Sequence, residues 1–393
     1  MANTIRTIYQ KLCAVSVFIG VNRLPLTQAF FNYCKQTEQA DKLCAYAAFV
    51  SEIYSGGGNL TTLLQKQLFE DENVYVRAVA QGKEIPAPVS DSVQRELQAF
   101  SCFASLTPAE FANDMQIELN AIPAFLGSSS DFYTAYQKRL ESLEKYGYGI
   151  FSSQAMFRLN DEKQIEPIVS ADSISLDSFI GYELERAQVI ENTRAFLSGR
   201  PAANALLCGD AGTGKSSTVK AVVNAFFNDG LRLIELRKDQ LSLLPYVMAK
   251  ISGNPLKFIV FIDDLSFRKS DDDFSMLKAA LEGSASAKAE NAVIYATSNR
   301  RHIIKESFGD REGDDVHRND TLQETLSLSE RFGLVVLFSK PNKQLYLEIV
   351  KALAQKQGIR MDETQLCIQA EAFALRKGNR SARCAEQFIN NLL

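Results

Sequence analysis

The sequence predicts an α/β protein: a five-stranded parallel sheet, with a mainly helical domain before it and a helical segment after it. Three observations carry this. From Leu176 onward, short β-type runs alternate with helical stretches, the runs being Ala205–Cys208, Leu231–Leu236, Phe258–Ile262, Ala292–Ala296 and Leu334–Phe338. Runs this continuously apolar suit strands covered on both faces. Before residue 147, apolar residues recur instead at helical spacing. Between the two patterns of the second half, a glycine-rich loop joins the first β-type run to a helix.

Taken in order, residues 1–146 form the helical N-terminal domain. The apolar run Leu12–Val21 follows Arg6 and Lys11 but has no small-residue cleavage site after it. It is too short to cross a bilayer, so it is expected as a buried helix. Val93, Leu97 and Phe100 form one helical stripe, and Phe132, Tyr136, Leu140 and Leu143 form another. Thr107-Pro108-Ala109-Glu110 is a capping box with proline at the first helical position. Gly147 ends the helical region. Ile150–Leu159 and Gln164–Val169 flank Asn160-Asp161 as a short hairpin, and polar Ser170–Asp177 continues as a linker, so 147–175 is read as hairpin and linker. The sheet occupies 176–340. After Pro341, helices are expected over 342–357, 362–377 and 381–392, with breaks at Gly358 and Gly378.

Composition narrows the function. The 393 residues are 46% hydrophobic and 23% charged, with a net charge of −4, ordinary for soluble globular protein. There is no overall basic excess of the kind that nucleic-acid-binding proteins usually carry, which leaves only a local basic patch open to that role. Cys13, Cys34, Cys44, Cys102, Cys208, Cys367 and Cys384 include no C-x-x-C pair, and the only histidines are His302 and His317. Reduced thiols in a cytoplasmic protein are expected, without a zinc site.

The chemistry lies in two motifs. Gly209-Asp210-Ala211-Gly212-Thr213-Gly214-Lys215-Ser216 matches G-x-x-x-x-G-K-S, between a strand and a helix that begins with Ser217. Glycines let the backbone N–H groups wrap a phosphate chain, and the helix N-terminus adds positive potential. Lys215 is expected on the β- and γ-phosphates of ATP and Ser216 on Mg²⁺. In Phe258-Ile259-Val260-Phe261-Ile262-Asp263-Asp264, two carboxylates emerge from the C-terminal end of a buried strand, where ligands sit in parallel sheets. Asp263 suits the Walker B role beside Mg²⁺, and Asp264 suits orientation or deprotonation of the attacking water.

The succession of P-loop, Asp263-Asp264 and Ala296-Thr297-Ser298-Asn299 resembles AAA+ ATPases. The likeness covers roughly 170–393. With Asp263-Asp264-Leu265-Ser266-Phe267, Ser298-Asn299-Arg300-Arg301-His302 and Leu328-Ser329-Glu330-Arg331-Phe332-Gly333-Leu334, it is nearest the bacterial ATP-binding family called domain of unknown function 815. The resemblance implies a five-stranded parallel P-loop AAA+ core over 176–340 and a helical lid over 341–393. It implies sensor 1 at Asn299 and an arginine finger at Arg331, with Arg300 and Arg301 as rivals. It further implies sensor 2 at Arg383, with Arg380 as rival, and an adenine pocket at Phe179-Ile180-Gly181-Tyr182, chiefly Ile180 and Gly181. Two departures stand out. Many AAA+ proteins have glutamate where this chain has Asp264, and no aromatic–apolar–glycine pore loop occurs between the second and third runs. Asn342-Lys343-Gln344-Leu345 lacks the aspartate that would read guanine.

The expected function is hydrolysis of Mg-ATP to remodel or switch a macromolecular partner, in a homo-oligomer whose N-terminal domain selects a protein. The alternatives are a nucleotide-gated protein-binding module with little turnover, or a nucleic-acid remodelling factor. Asp271-Asp272-Asp273 and the stretch Asp310–Asp320 are read as charged loops, and Cys208 as a small buried strand residue.

Overall fold

The computed structural model describes residues 4–169, 174–265, 277, 281, 289–299 and 331–393. It divides into two compact units, Met1–Ser153 and Gln154–Leu393.

The first unit is built on helices, among them Thr4–Cys13, Pro25–Lys35, Gln39–Ser55, Leu60–Glu70 and Ala87–Ala104. Their apolar faces meet in one core rich in rings, including Phe18, Phe30, Tyr33, Phe49, Phe103 and Phe111. Thr107 caps the helix Pro108–Met115, its backbone N–H donating to Glu110 at 2.9 Å. The run Leu12–Val21 is buried but is not one helix. One helix stops at Cys13 and a short one resumes at Ile19. The cause is Glu96, whose buried carboxylate accepts the N–H groups of Ser16 at 2.8 Å and of Val17 and Phe18 at 3.0 Å. Those three donors are thereby taken from the helical i→i−4 ladder. The stripe from Phe132 to Leu143 is also split, between Phe132–Leu140 and Leu143–Tyr146, before Gly147 turns the chain at φ +61°.

The second unit is a seven-stranded sheet, two strands more than expected. In chain order the strands are β1 (Met156–Leu159), β2 (Ile165–Pro167), β3 (Ala205–Gly209), β4 (Leu231–Leu236), β5 (Lys257–Ile262), β6 (Ala292–Ser298) and β7 (Leu334–Phe338). Their order across the sheet is β2-β1-β4-β5-β6-β3-β7. The five strands expected from the sequence are parallel. The hairpin adds the other two, β1 pairing parallel with β4 and β2 antiparallel with β1. The reason is physical. An exposed β4 edge would leave a row of backbone donors and acceptors unpaired, and the hairpin buries Met156, Phe157 and Leu159 in covering it.

One face of the sheet packs against the helices Glu183–Leu197 and Lys215–Ala225 through Val189, Phe196, Val219, Val222 and Val223. The opposite alternation, including Leu206, Ile234, Val260 and Ile294, is buried as well. The C-terminal helices Lys343–Lys356, Glu363–Lys377 and Ala382–Asn390 form their own core around Tyr346, Val350, Ala370 and Phe388. Each is capped by a side chain, respectively Asn342, Asp362 and Ser381. Asn342 thus has a structural task, accepting from Leu345 N at 2.8 Å. No helix among the described residues is long and apolar enough to cross a membrane.

Candidate nucleotide site

Register brings the motifs together. Cys208 of β3 lies beside Ser298 of β6, and Ala296 of β6 lies beside Ile262 of β5. The C-terminal ends of three neighbouring strands therefore deliver the P-loop, Asn299 and the Asp263-Asp264 pair to one place. From β3 the chain passes over β6 and β5 to reach β4, steps back through them, and only then places β7 on the other side of β3. That reversal makes the end of β3 a topological switch point, where open parallel sheets bind ligands.

The loop is built by glycines in a backbone conformation that residues with side chains rarely adopt. Gly209 has φ +141°, and a Cβ there would stand 2.0 Å from the Phe338 carbonyl oxygen. Gly214 has φ +88° immediately before the helix Lys215–Ala225. Within the turn, Thr213 Oγ1 donates to Asp210 O at 2.9 Å, while Ala211 is exposed at the rim. Ser217 lies partly buried in the first helical turn.

Lys215 is buried, 5% exposed, and its ammonium donates to Asp210 O at 2.7 Å, Asn299 Oδ1 at 2.9 Å and Gly209 O at 3.2 Å. Burial depresses its pKa, against the pull of Asp210, Asp263 and Asp264. Ser216 Oγ donates to Asp263 Oδ1 at 2.6 Å. Asn299 links both sides of the site, because its Nδ2 donates to Asp264 Oδ1 at 2.8 Å. Asp264 itself holds φ +53°, an uncommon backbone for a residue with a Cβ.

The segment Phe179–Tyr182 runs alongside. A Cβ at Gly181, φ +73°, would stand 2.4 Å from Leu345 of the first C-terminal helix, and Ile180 packs at the edge of the helical core. The Phe179 ring lies 3.7 Å from where a Cβ on Gly214 would be. This places Ile180 and Gly181 between the P-loop and the C-terminal helices. Those helices reach the loop too, since a Cβ on Gly212 would meet Ser381 Oγ and Arg383 Cβ at 3.2 Å each. Arg383 is exposed there. Its rival Arg380 is turned into an ion pair with Glu371, with Nε donating at 3.3 Å.

Arg331 stands just before β7, partly exposed. Ala205 pairs with Leu334 and Gly209 with Phe338, so Arg331 enters at the end of the sheet opposite the P-loop. Arg300, Arg301, His302, His317, Asp271-Asp272-Asp273 and Asp310–Asp320 lie outside the described residues. Cys208 is buried, and burial pushes its thiol up to about 11. A thiol so protonated is inert, as befits a strand residue.

A family model described as "Protein of unknown function (DUF815)" matches residues 152–393. The chain belongs to this family. The matched residues hold every strand of the DUF815 sheet and every P-loop and carboxylate residue above. No curated protein matches this DUF815 chain. Among solved structures, the Thermotoga maritima RuvB Holliday junction branch migration motor is similar at 14% identity and TM-score 0.33, over 55% of this chain and 71% of that one. Two single-substitution variants of the same RuvB match over the same shares, at 14% identity and TM-scores of 0.33 and 0.34. The DUF815 core is an α/β fold, with the glycine-rich loop at a strand end and adjoining strands supplying the polar residues.

Sequence reasoning left three neighbours of this site without a role: Thr297, Leu345 and Ser381. Thr297 had a visible signal, a hydroxyl immediately after the run Ala292–Ala296. Leu345 and Ser381 had none, because only folding back of the C-terminal helices brings them to the loop.

Proposed function

We propose that this chain binds Mg-ATP in the loop Gly209–Ser216 and hydrolyses it, working as a homo-oligomer to remodel or switch a macromolecular partner. The observation that carries this is the meeting of Lys215, Ser216, Asp263, Asp264 and Asn299 at three adjacent strand ends. The residues fit the ligand. Gly209, Gly212 and Gly214 hold the positive φ values of a backbone that can wrap a phosphate chain, and the Lys215 ammonium sits on the same loop, donating to Gly209 O and Asp210 O. A hydroxyl and a carboxylate already in contact are an oxygen donor set of the kind magnesium takes. Magnesium, when bound, would neutralise charge on the β- and γ-phosphates.

The chain's own groups divide the remaining work. Lys215 holds the phosphates and withdraws charge from them. Asp264 orients the attacking water and accepts its proton, with Asn299 fixing the carboxylate. Ile180 and Gly181 supply a flat apolar wall for adenine. Arg383, exposed beside Gly212, reports the nucleotide to the C-terminal helices, which act as a lid. Arg331 serves the site of a neighbouring subunit. Residues before Gln154 choose the partner, a protein. A nucleotide-gated clamp with little turnover is the second reading, favoured by one observation. The short Asp264 side chain is already held by Asn299, which limits its reach toward a water.

Two substitutions test the site. Lys215→Ala should abolish tight ATP binding, because it removes the charge facing the phosphates. Asp264→Asn should bind ATP and lose turnover by about 10²-fold or more, as expected for loss of a general base. Fluorescent-nucleotide titration and phosphate release measure both. Normal hydrolysis by Lys215→Ala would remove the assignment, and negligible turnover in the unaltered protein would favour the clamp. An affinity pull-down with Asp264→Asn and ATP then captures the partner.

A further inference from the structure

Every hydrogen bond that the Asp263 side chain accepts from the described residues falls on one oxygen. Oδ1 accepts from Thr297 Oγ1 at 2.5 Å, from Ser216 Oγ at 2.6 Å and from Asp264 N at 3.1 Å. Among the described residues, Oδ2 accepts none. A carboxylate tied through one oxygen is held in one orientation, and the lone pairs of its second oxygen remain for a cation or its water. Ser216 and the Asp264 backbone already belong to the nucleotide site. Thr297 lies in the strand-end segment before Asn299 and received no role there, yet its hydroxyl donates to the same oxygen.

Thr297 is 2% exposed. Its hydroxyl accepts from Asp264 N at 2.9 Å, which commits its own proton to Asp263. Its carbonyl accepts from Leu265 N at 2.7 Å. One residue of β6 thus clamps the turn that follows β5 at two successive amides. Between those amides lies the left-handed backbone of Asp264, φ +53°. A conformation of that kind persists only where its surroundings hold it.

We infer that Thr297 is a positioning residue. It fixes Asp263 with one oxygen inward and the other presented to the divalent cation that accompanies nucleotide. It also holds the Asp264 turn that carries the second carboxylate to Asn299. The inference rests on the nucleotide-site reading above. The position requires an atom that donates and accepts at once. Valine has threonine's shape and can do neither, so Asp263 Oδ1 loses one of its three donors and the Asp264 amide loses one of its two acceptors.

The test compares full-length Thr297→Val, Thr297→Ala and Thr297→Ser with the unaltered protein. Mn²⁺ is titrated by electron paramagnetic resonance in the presence of a saturating non-hydrolysable ATP analogue. Affinity for the same analogue is measured separately in EDTA, and thermal melting verifies folding. Removal of the hydroxyl should weaken Mn²⁺ about tenfold or more, the usual consequence of losing a partner that orients a metal ligand. It should leave metal-free nucleotide affinity unchanged, and serine should restore Mn²⁺ affinity. Thr297→Ala carries the same expectation if the valine protein does not fold. Unchanged Mn²⁺ affinity in a folded variant lacking the hydroxyl overturns the inference, as does an equal loss of metal-free nucleotide affinity. Failure of the unaltered protein to couple Mn²⁺ to nucleotide overturns the site reading itself, and this inference with it.

Discussion

Asn299 spends both ends of its amide on the site, with its oxygen on the Lys215 ammonium and its nitrogen on the Asp264 carboxylate. It is the one described side chain that touches the phosphate-directed and the water-directed group together. On the proposed reading a residue so placed contributes little to ground-state binding, because the loop backbone and Lys215 would hold the phosphates without it. On the same reading, its value lies in keeping Asp264 aimed while charge develops on the transferring group. Asn299→Ala should therefore lower kcat about 10²-fold, the scale of losing one preorganised polar group. The dissociation constant for ATP should change less than about threefold. Steady-state kinetics with a parallel nucleotide titration separates the two, and a parallel rise in dissociation constant would assign Asn299 to binding.

At the scale of elements, the hairpin β1–β2 does what its sequence position does not suggest. It lies next to the divide between the two compact units, yet it belongs to the sheet of the second. Its partners are Met156 with Leu233, Phe157 with Ile234 and Arg158 with Glu235. Burying Met156, Phe157 and Leu159 stabilises the unit by about 1.5–3 kcal/mol each. A chain beginning at Gln154 should fold and bind Mg-ATP, since every P-loop and carboxylate residue lies within it. A chain beginning at Ser170 keeps the same nucleotide residues but exposes the β4 edge. It should melt at least ~10 °C lower and aggregate through that edge. Thermal melting and light scattering of the two truncations measure this. Equal melting temperatures would mean that the hairpin covers nothing essential.

For the whole molecule, the decisive geometry is the direction of β7. Arg331 precedes this strand, and the P-loop follows its neighbour β3, which runs the same way. At about 3.3 Å per residue, the strand alone separates the two by roughly 13 Å or more, beyond what an arginine side chain spans. If Arg331 completes the charge clamp on a transferring phosphoryl group, as proposed, it does so in another subunit. Arg331→Ala should bind ATP nearly normally and lose about 10³-fold or more in turnover, the contribution of an arginine finger. Mixed with Lys215→Ala protein, it should regain activity at interfaces that join an intact loop to an intact arginine. Silence of a mixture shown to co-assemble would leave the role to Arg300 or Arg301.

The sequence by itself determined the five parallel strands, the three C-terminal helices and the place of the glycine-rich loop between strand and helix. These are local matters: a continuous apolar run, a 3.6-residue stripe with its cap, and glycines where the backbone must approach phosphate. The position of Asp263, Asp264 and Asn299 just past strand ends was legible for the same reason, each being polar where a buried strand runs out. The tertiary structure alone decided what depends on partners distant in the chain. Glu96 breaks the run Leu12–Val21 across about 80 residues of sequence by taking three backbone donors. The hairpin joins the sheet because β4 had an open edge, and an edge is a property of the assembled sheet. Arg383 faces the loop while Arg380 turns to Glu371, a choice made by the packing of the last two helices. Thr297 gains its place because the register of β5 on β6 sets one hydroxyl between two successive aspartates, and no pattern within either strand encodes that register.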